Sequence, residues 1–195
     1  MSGAAVSEAQ VLVVGGGIGG LAVALALARL GKRVRVLEKA SAFGEIGAGI
    51  QIAPNGSRAL DRLGVLAQIH AGAVFPRTIA WLDALSGEPL TALALGDAFR
   101  ARYGYAYLVM HRSDLLAACR ADARVALETE RDVVAVEDHG SFAQATCADG
   151  TAHRGEVLVG ADGLRSLVRQ YVVGDGEPLR SAYSRSRAGP AAAWC

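Results

Sequence analysis

Gln10-Val11-Leu12-Val13-Val14-Gly15-Gly16-Gly17-Ile18-Gly19-Gly20 runs an apolar strand into a glycine turn, and Val34-Arg35-Val36-Leu37-Glu38 brings the chain back as a second strand ending in a carboxylate. Between them, Ile18–Leu30 is Ala/Leu-rich and is followed by Gly31, which reads as a helix closed by a C′ glycine. Gly15, Gly17 and Gly20 fit the spacing G-x-G-x-x-G, and Glu38 falls about where an acid belongs, roughly 20 residues further on. Gly15 permits the tight turn, Gly17 leaves room for a pyrophosphate against the backbone, and Gly20 lets the helix pack close to the strands. Phosphate charge then lies on the free N–H groups at the helix N-terminus. Glu38 can accept hydrogen bonds from both ribose hydroxyls of an adenosine and repels a 2′-phosphate. Ile18 and Gly19 at the start of the helix, and Lys39 beside the acid, complete the expected dinucleotide contacts. Two other readings compete. One is a buried βαβ unit with no ligand. The other is a membrane span, because Val11 to Ala28 carries no charge. The glycine turn in its middle and the prompt return to a second strand argue against a span.

The 195 residues suffice for one domain, or one domain with a small subdomain. Hydrophobic residues make up 52% and charged residues 20%, a globular composition. A net charge of +1 gives no electrostatic case for nucleic acid or for an anionic membrane surface. Cys119, Cys147 and Cys195 are far apart and odd in number, which suits a reducing compartment and shows no metal spacing. His70, His111, His139 and His153 do not pair at ligand spacing either, so no metal is expected. The first ten residues lack a basic stretch followed by an apolar one, so a cytoplasmic location is expected.

Further along, Lys39 to Gln51 reads as a loop carrying Gly44, Gly47 and Gly49. Pro54-Asn55 opens a helix running to Gly64. Thr78–Asp83 and Leu90–Leu95 form a hairpin over Ser86-Gly87, and Tyr105–Met110 is another strand. Ser113 is a candidate N-cap for a helix over Leu115–Arg120. Val133–Glu137, Phe142–Cys147 and Thr151–His153 then form a small antiparallel meander, with Asp149-Gly150 as a hairpin turn. It reads as an insertion in the α/β frame. Val157–Val159 resumes the main sheet and delivers Asp162 to a strand-to-helix corner at Gly160-Ala161-Asp162-Gly163, with a helix from near Leu164 to Tyr171. Asp162 there suits a helix cap, which is compatible with a ligand role.

Taken together, three stretches make the chain resemble the class A (single-component) FAD-dependent aromatic monooxygenases, in their salicylate-hydroxylase-like branch. They are Gly15–Gly20 with Glu38, Gly47-Ala48-Gly49-Ile50-Gln51-Ile52-Ala53-Pro54-Asn55, and Gly160–Arg169, which is similar to the family's Asp-Gly motif. His111-Arg112-Ser113-Asp114-Leu115 is similar to the family's arginine at a helix start. The likeness runs from about Val11 to about Pro178. It implies a Rossmann-like α/β FAD-binding domain, a parallel sheet with a βαβ start and an antiparallel meander, plus part of a substrate-domain sheet. It implies that Gly15, Gly17 and Gly20 hold the FAD pyrophosphate and that Glu38 binds the adenosine ribose. It also implies that Gly47 to Gly49 line the path of the flavin, that Arg112 lies near the ribityl and pyrophosphate, and that Asp162 lies beside the pyrophosphate, where the family also receives the reduced nicotinamide. The implied reaction takes NAD(P)H, O2 and a small phenolic or aromatic-carboxylate substrate, with the oxygen chemistry carried by the flavin. No catalytic side chain is identified, and the meander is expected to be structural only.

The family pattern also needs a Gly-Asp…Pro motif and further sheet strands downstream, neither of which is present. The expected organisation is therefore a flexible stretch at 1–9, an FAD-binding domain at 10–179 with partial substrate-domain strands around 75–110, and an irregular, disordered tail at 180–195. A shortened hydroxylase, frameshifted near Leu179–Ser181, is expected to bind FAD weakly, to aggregate through unpaired strands and to show little coupled hydroxylation. An NAD-dependent dehydrogenase and a non-catalytic nucleotide-binding fragment remain the alternatives. The sequence sets no oligomeric state.

Overall fold

A computed structural model describes residues 6–42, 49–120 and 125–179. The central strand is β1 (Val6–Val14), and its alternating side chains face two different layers. Val11 and Val13 pack with Ala24 of α1 (Ile18–Arg29) and with Val34 and Val36 of β2 (Val34–Leu37). Leu12 points the other way, onto Leu37 and Ala145. A strand buried on both faces needs this near-continuous apolar run, which is why the stretch reads Val-Leu-Val-Val.

β2 runs parallel to β1 on one side. On the far side of β2 lies β7 (Val125–Glu128), also parallel. On the other side of β1 lies β10 (Ala152–Gly160), parallel along its whole length. Beyond β10 come β9 (Ala143–Cys147) and β8 (Val133–Asp138), both antiparallel to their neighbours. The six-stranded order is β7-β2-β1-β10-β9-β8. Val14 of β1 meets Val136 of β8 and Val168, so the meander lies across the face opposite α1.

The helical face continues into a second cluster. Leu21 and Leu25 of α1 pack with Leu115, Leu116 and Cys119 of α5 (Arg112–Arg120). The same cluster takes in Leu60 of α2 (Pro54–Arg62), Ile69 of α3 (Leu66–His70), and a two-stranded antiparallel pair, β3 (Gly49–Ile52) and β6 (Leu108–His111). β4 (Thr78–Leu82) and β5 (Pro89–Ala94) form the hairpin expected over Ser86-Gly87, followed by α4 (Asp97–Tyr103). The last helix among the described residues is α6 (Leu167–Val173). No helix among the described residues is long and apolar enough to cross a membrane, and the uncharged stretch read as a competing span divides into β1, a turn and α1.

Several boundaries differ from the sequence reading. β1 starts at Val6, paired with Ala152, so residues 6–9 are strand rather than a flexible end. The two strands expected at Thr151–His153 and Val157–Val159 are one strand, so the meander grows from the edge of the main sheet and is not an insertion. Gly155 lies between the two expected segments. It is where β10 passes Leu12, whose Cγ would stand 3.0 Å from any Cβ at that position. The end of the expected Lys39–Gln51 loop is strand β3, paired with β6. α5 begins at Arg112 directly after β6, so Ser113 lies inside that helix instead of capping it. α6 begins at Leu167 rather than Leu164, because Ser166 caps it by accepting the Arg169 N–H. Gly44, Gly47, Ala48 and the tail at 180–195 lie outside the described residues.

Candidate functional site

β1, β2 and β10 end together, and a cleft of about 230 Å³ opens above their C-terminal ends. In a doubly wound sheet this is where ligands bind. Gly15 leaves β1 with φ +102°, and a Cβ there would stand 2.3 Å from the Ala161 carbonyl oxygen. Only glycine adopts that conformation in that space. Gly20 is excluded from carrying a side chain for a different reason: its Cβ would be 2.0 Å from the Gly15 carbonyl oxygen. Gly17, by contrast, has nothing within 4 Å of its missing Cβ and faces the cleft. It is the N-cap of α1, with no side-chain cap and no acid in the first turn of the helix. The positive end of α1, at Ile18 and Gly19, is therefore open to an anion.

Glu38 ends the strand beside this turn. Its Oε2 accepts the Gly16 N–H at 2.6 Å and its Oε1 accepts the Ala40 N–H at 2.9 Å. Each oxygen keeps a further lone pair for a ligand hydroxyl. Lys39 follows in the cleft wall.

Asp162 enters from the opposite wall. Its Oδ1 accepts Ser166 Oγ at 2.5 Å, and its Oδ2 accepts the N–H groups of Leu167 and Val168 at 2.7 and 3.2 Å. The carboxylate is thus committed to the start of α6, the cap role the sequence allowed. Its neighbours Gly163 and Arg165 line the same cleft.

Of the expected residues, the structure gathers Gly15, Gly17, Glu38, Lys39 and Asp162 around one cleft. Gly20 acts behind the turn, and Ile18 and Gly19 form the start of α1. Gly49 and Arg112 are not in the cleft wall. They stand together elsewhere, since Gly49 pairs with His111, the residue before Arg112. Sequence reasoning missed the third wall, which is Arg131, Asp132 and Val133 at the entry to the meander. The Arg131 N–H donates to the Glu38 carbonyl at 2.9 Å, and the Glu38 N–H to the Glu128 carbonyl at 2.8 Å. The Arg131 guanidinium is held by Glu128 and Asp149, and the Glu128 hydrogen bond pushes its pKa above even the usual arginine value.

The donor set fits a dinucleotide: open N–H groups and a bare glycine for phosphate, and an oriented carboxylate one strand away for ribose hydroxyls. The comparisons agree with that geometry. A family model described as FAD binding domain matches residues 8–179. The chain is 43% identical over 182 residues to 3-hydroxybenzoate 6-hydroxylase 1 of Aquipseudomonas alcaligenes, covering 91% of this chain and 46% of that protein. It is 32% identical over 180 residues to 6-hydroxynicotinate 3-monooxygenase of Bordetella bronchiseptica, covering 92% and 47%. Among solved structures, HpxO of Klebsiella pneumoniae complexed with FAD and uric acid matches with a TM-score of 0.72 and 29% identity, over 86% of this chain and 42% of that one. PqsL of P. aeruginosa in complex with 2-aminobenzoylacetate matches with a TM-score of 0.72 and 28% identity, over 91% and 48%. The chain spans about half the length of the curated relatives it matches.

Proposed function

The chain belongs to the family of FAD-binding domains found in flavin-dependent aromatic hydroxylases, and on that premise we propose that it holds FAD in this cleft for the hydroxylation of an aromatic ring by NAD(P)H and O2. The observation that carries the reading is the junction of three strand ends: an uncapped α1 N-terminus faces an oriented Glu38 carboxylate across a turn too tight for any residue but Gly15.

The residues divide the cofactor between them. The N–H groups of Ile18, Gly19 and Gly20, with Gly15 and Gly17 leaving the approach clear, take the pyrophosphate. Glu38 accepts the ribose hydroxyls, and Lys39 and Arg131 flank it. Asp162 builds the opposite wall by fixing the start of α6, and Arg165, just ahead of that helix, stands at the rim. Gly49 and Arg112 take the flavin beyond the pyrophosphate, because β3 and β6 bring them side by side. FAD, when bound, supplies the redox and oxygen chemistry. The chain itself binds, orients and shields it from water.

The named relatives act on hydroxylated benzoates and pyridine carboxylates, so the substrate class proposed is a small phenolic or heteroaromatic acid. The hairpin β4–β5 and strand β6 are proposed as the part of the substrate-binding sheet carried by this chain. The test is NADH and O2 consumption by the FAD-loaded chain with hydroxybenzoates. A ring-hydroxylated product one oxygen heavier supports the reading. FAD bound at full occupancy with no NAD(P)H oxidation and no product overturns the hydroxylase assignment for this chain.

A further inference from the structure

Arg131 belongs to two places at once. It lines the cleft beside Glu38, and its backbone N–H donates to the Glu38 carbonyl at 2.9 Å. Its guanidinium turns toward the meander, where Nε donates to Glu128 Oε2 at 3.1 Å and Nη1 to Asp149 Oδ2 at 2.9 Å. Glu128, at the end of β7, is also held by Arg35 of β2. Charges of alternating sign therefore run Arg35, Glu128, Arg131, Asp149, from the parallel sheet to the β9–β10 turn. A backbone bond from Ala148 N–H to the Asp132 carbonyl, 2.8 Å long, closes the same junction. Asp149 is not part of the cleft wall.

We propose that Arg131 is a positioning residue for the cofactor's adenosine end, and that Asp149, outside the cleft, sets cofactor affinity by holding Arg131. The proposal rests on the FAD reading above. A single half-exposed ion pair contributes little, but one that shares its members with a network fixes orientation. With Arg131 held at both ends, its backbone fixes the Glu38 carbonyl and the following Asp132-Val133 wall keeps its distance from Gly15–Gly17. Released from Asp149, Arg131 can swing, and Glu38 loses the neighbour that orients its strand end.

Asp149 allows this role to be separated from turn stability. Its Oδ1 accepts Thr151 N–H at 2.9 Å and Thr151 Oγ1 at 2.6 Å, and only Oδ2 meets Arg131. Asp149→Asn keeps an acceptor for Thr151 and removes the anion facing Arg131. Thr151→Val weakens the turn and leaves the anion in place. FAD affinity is measured by flavin fluorescence titration for the parent chain, both single variants, Arg131→Gln, and Asp149→Asn combined with Arg131→Gln. Exchange of the Gly16 and Arg131 amide hydrogens is measured in the same proteins without cofactor, because those amides bond to Glu38. The expected result is that Asp149→Asn weakens FAD binding about threefold and speeds both amides. Thr151→Val does neither, and Asp149→Asn adds nothing once Arg131→Gln is present. The proposal is overturned if Asp149→Asn matches the parent, if Thr151→Val reproduces its effects, or if the two substitutions add. If the parent chain takes up no FAD, the cofactor reading fails, and the amide exchange comparison alone decides the role of Asp149.

Discussion

Glu38 Oε2 accepts the backbone N–H of Gly16 at 2.6 Å, joining residues 22 apart in sequence. The bond ties the end of β2 to the glycine turn and orients the carboxylate before any ligand arrives. A group held this way loses little freedom on binding, so its contacts translate into affinity. Glu38→Gln keeps the shape and one acceptor but removes the charge. Charge-assisted bonds contribute about 1.5–3 kcal/mol, so this variant is expected to bind FAD at least about tenfold more weakly. A fluorescence titration checks this, and an unchanged dissociation constant would place the ribose elsewhere.

Two glycines of the same turn should fail in different ways. Gly17→Ala enters open space at φ −69°, an ordinary backbone angle. Its thermal midpoint should stay within about a degree of the parent while FAD binding falls about tenfold or more, since the methyl occupies the phosphate approach. Gly20→Ala drives a Cβ to 2.0 Å from the Gly15 carbonyl oxygen and should lower the midpoint itself. Equal midpoints for the two variants would contradict the packing described for Gly20.

Asp162 predicts a stability effect that needs no cofactor. Asp162→Ala removes the acceptor for Leu167 and Val168 N–H and for Ser166 Oγ. The loss of a helix cap costs about 1–2 kcal/mol, and urea denaturation of the cofactor-free chain reads it. Asp162→Asn, which keeps one acceptor, should lose less.

His153 gives the chain an acid-sensitive element. It is 4% exposed, and neither ring nitrogen has a partner among the described residues. Burial holds its pKa below the usual histidine value. Glu128 and Asp149 oppose that shift, while Arg35 and Arg131 reinforce it. The unfolded chain therefore binds a proton that the folded chain refuses, and stability must fall as pH drops below about 6.5. Above that pH both states are neutral at this site and it contributes no slope. In His153→Met the urea midpoint should change less between pH 7.5 and pH 5.5 than in the parent. Parallel pH curves for the two proteins would remove His153 as the cause.

The sequence shows the parts whose signals are local. β1, the glycine turn, α1 and Glu38 sit within one βαβ unit, where turn geometry and helix period leave a mark on each residue. The wall made by Arg131, Asp132 and Val133 leaves none, because it depends on β8 folding back across the face of β1. The usable hint was the Asp149-Gly150 turn, which marks the meander but not where its entry lands. β7 is as short as β2 but, unlike β2, has no glycine turn and helix before it to mark it. β10 reads as two strands from sequence, and the close passage of Gly155 by Leu12 that keeps it one strand is a tertiary contact.

The most direct test is to titrate the chain with FAD and with FMN while following the visible flavin spectrum. FMN carries the flavin and one phosphate but lacks the adenosine that the proposal assigns to Glu38 and the turn. The account predicts a saturable, shifted spectrum with FAD and at least about tenfold weaker binding of FMN, a gap of about 1.4 kcal/mol or more. A folded chain that leaves the FAD spectrum unshifted, or that binds FMN as well as FAD, would contradict it.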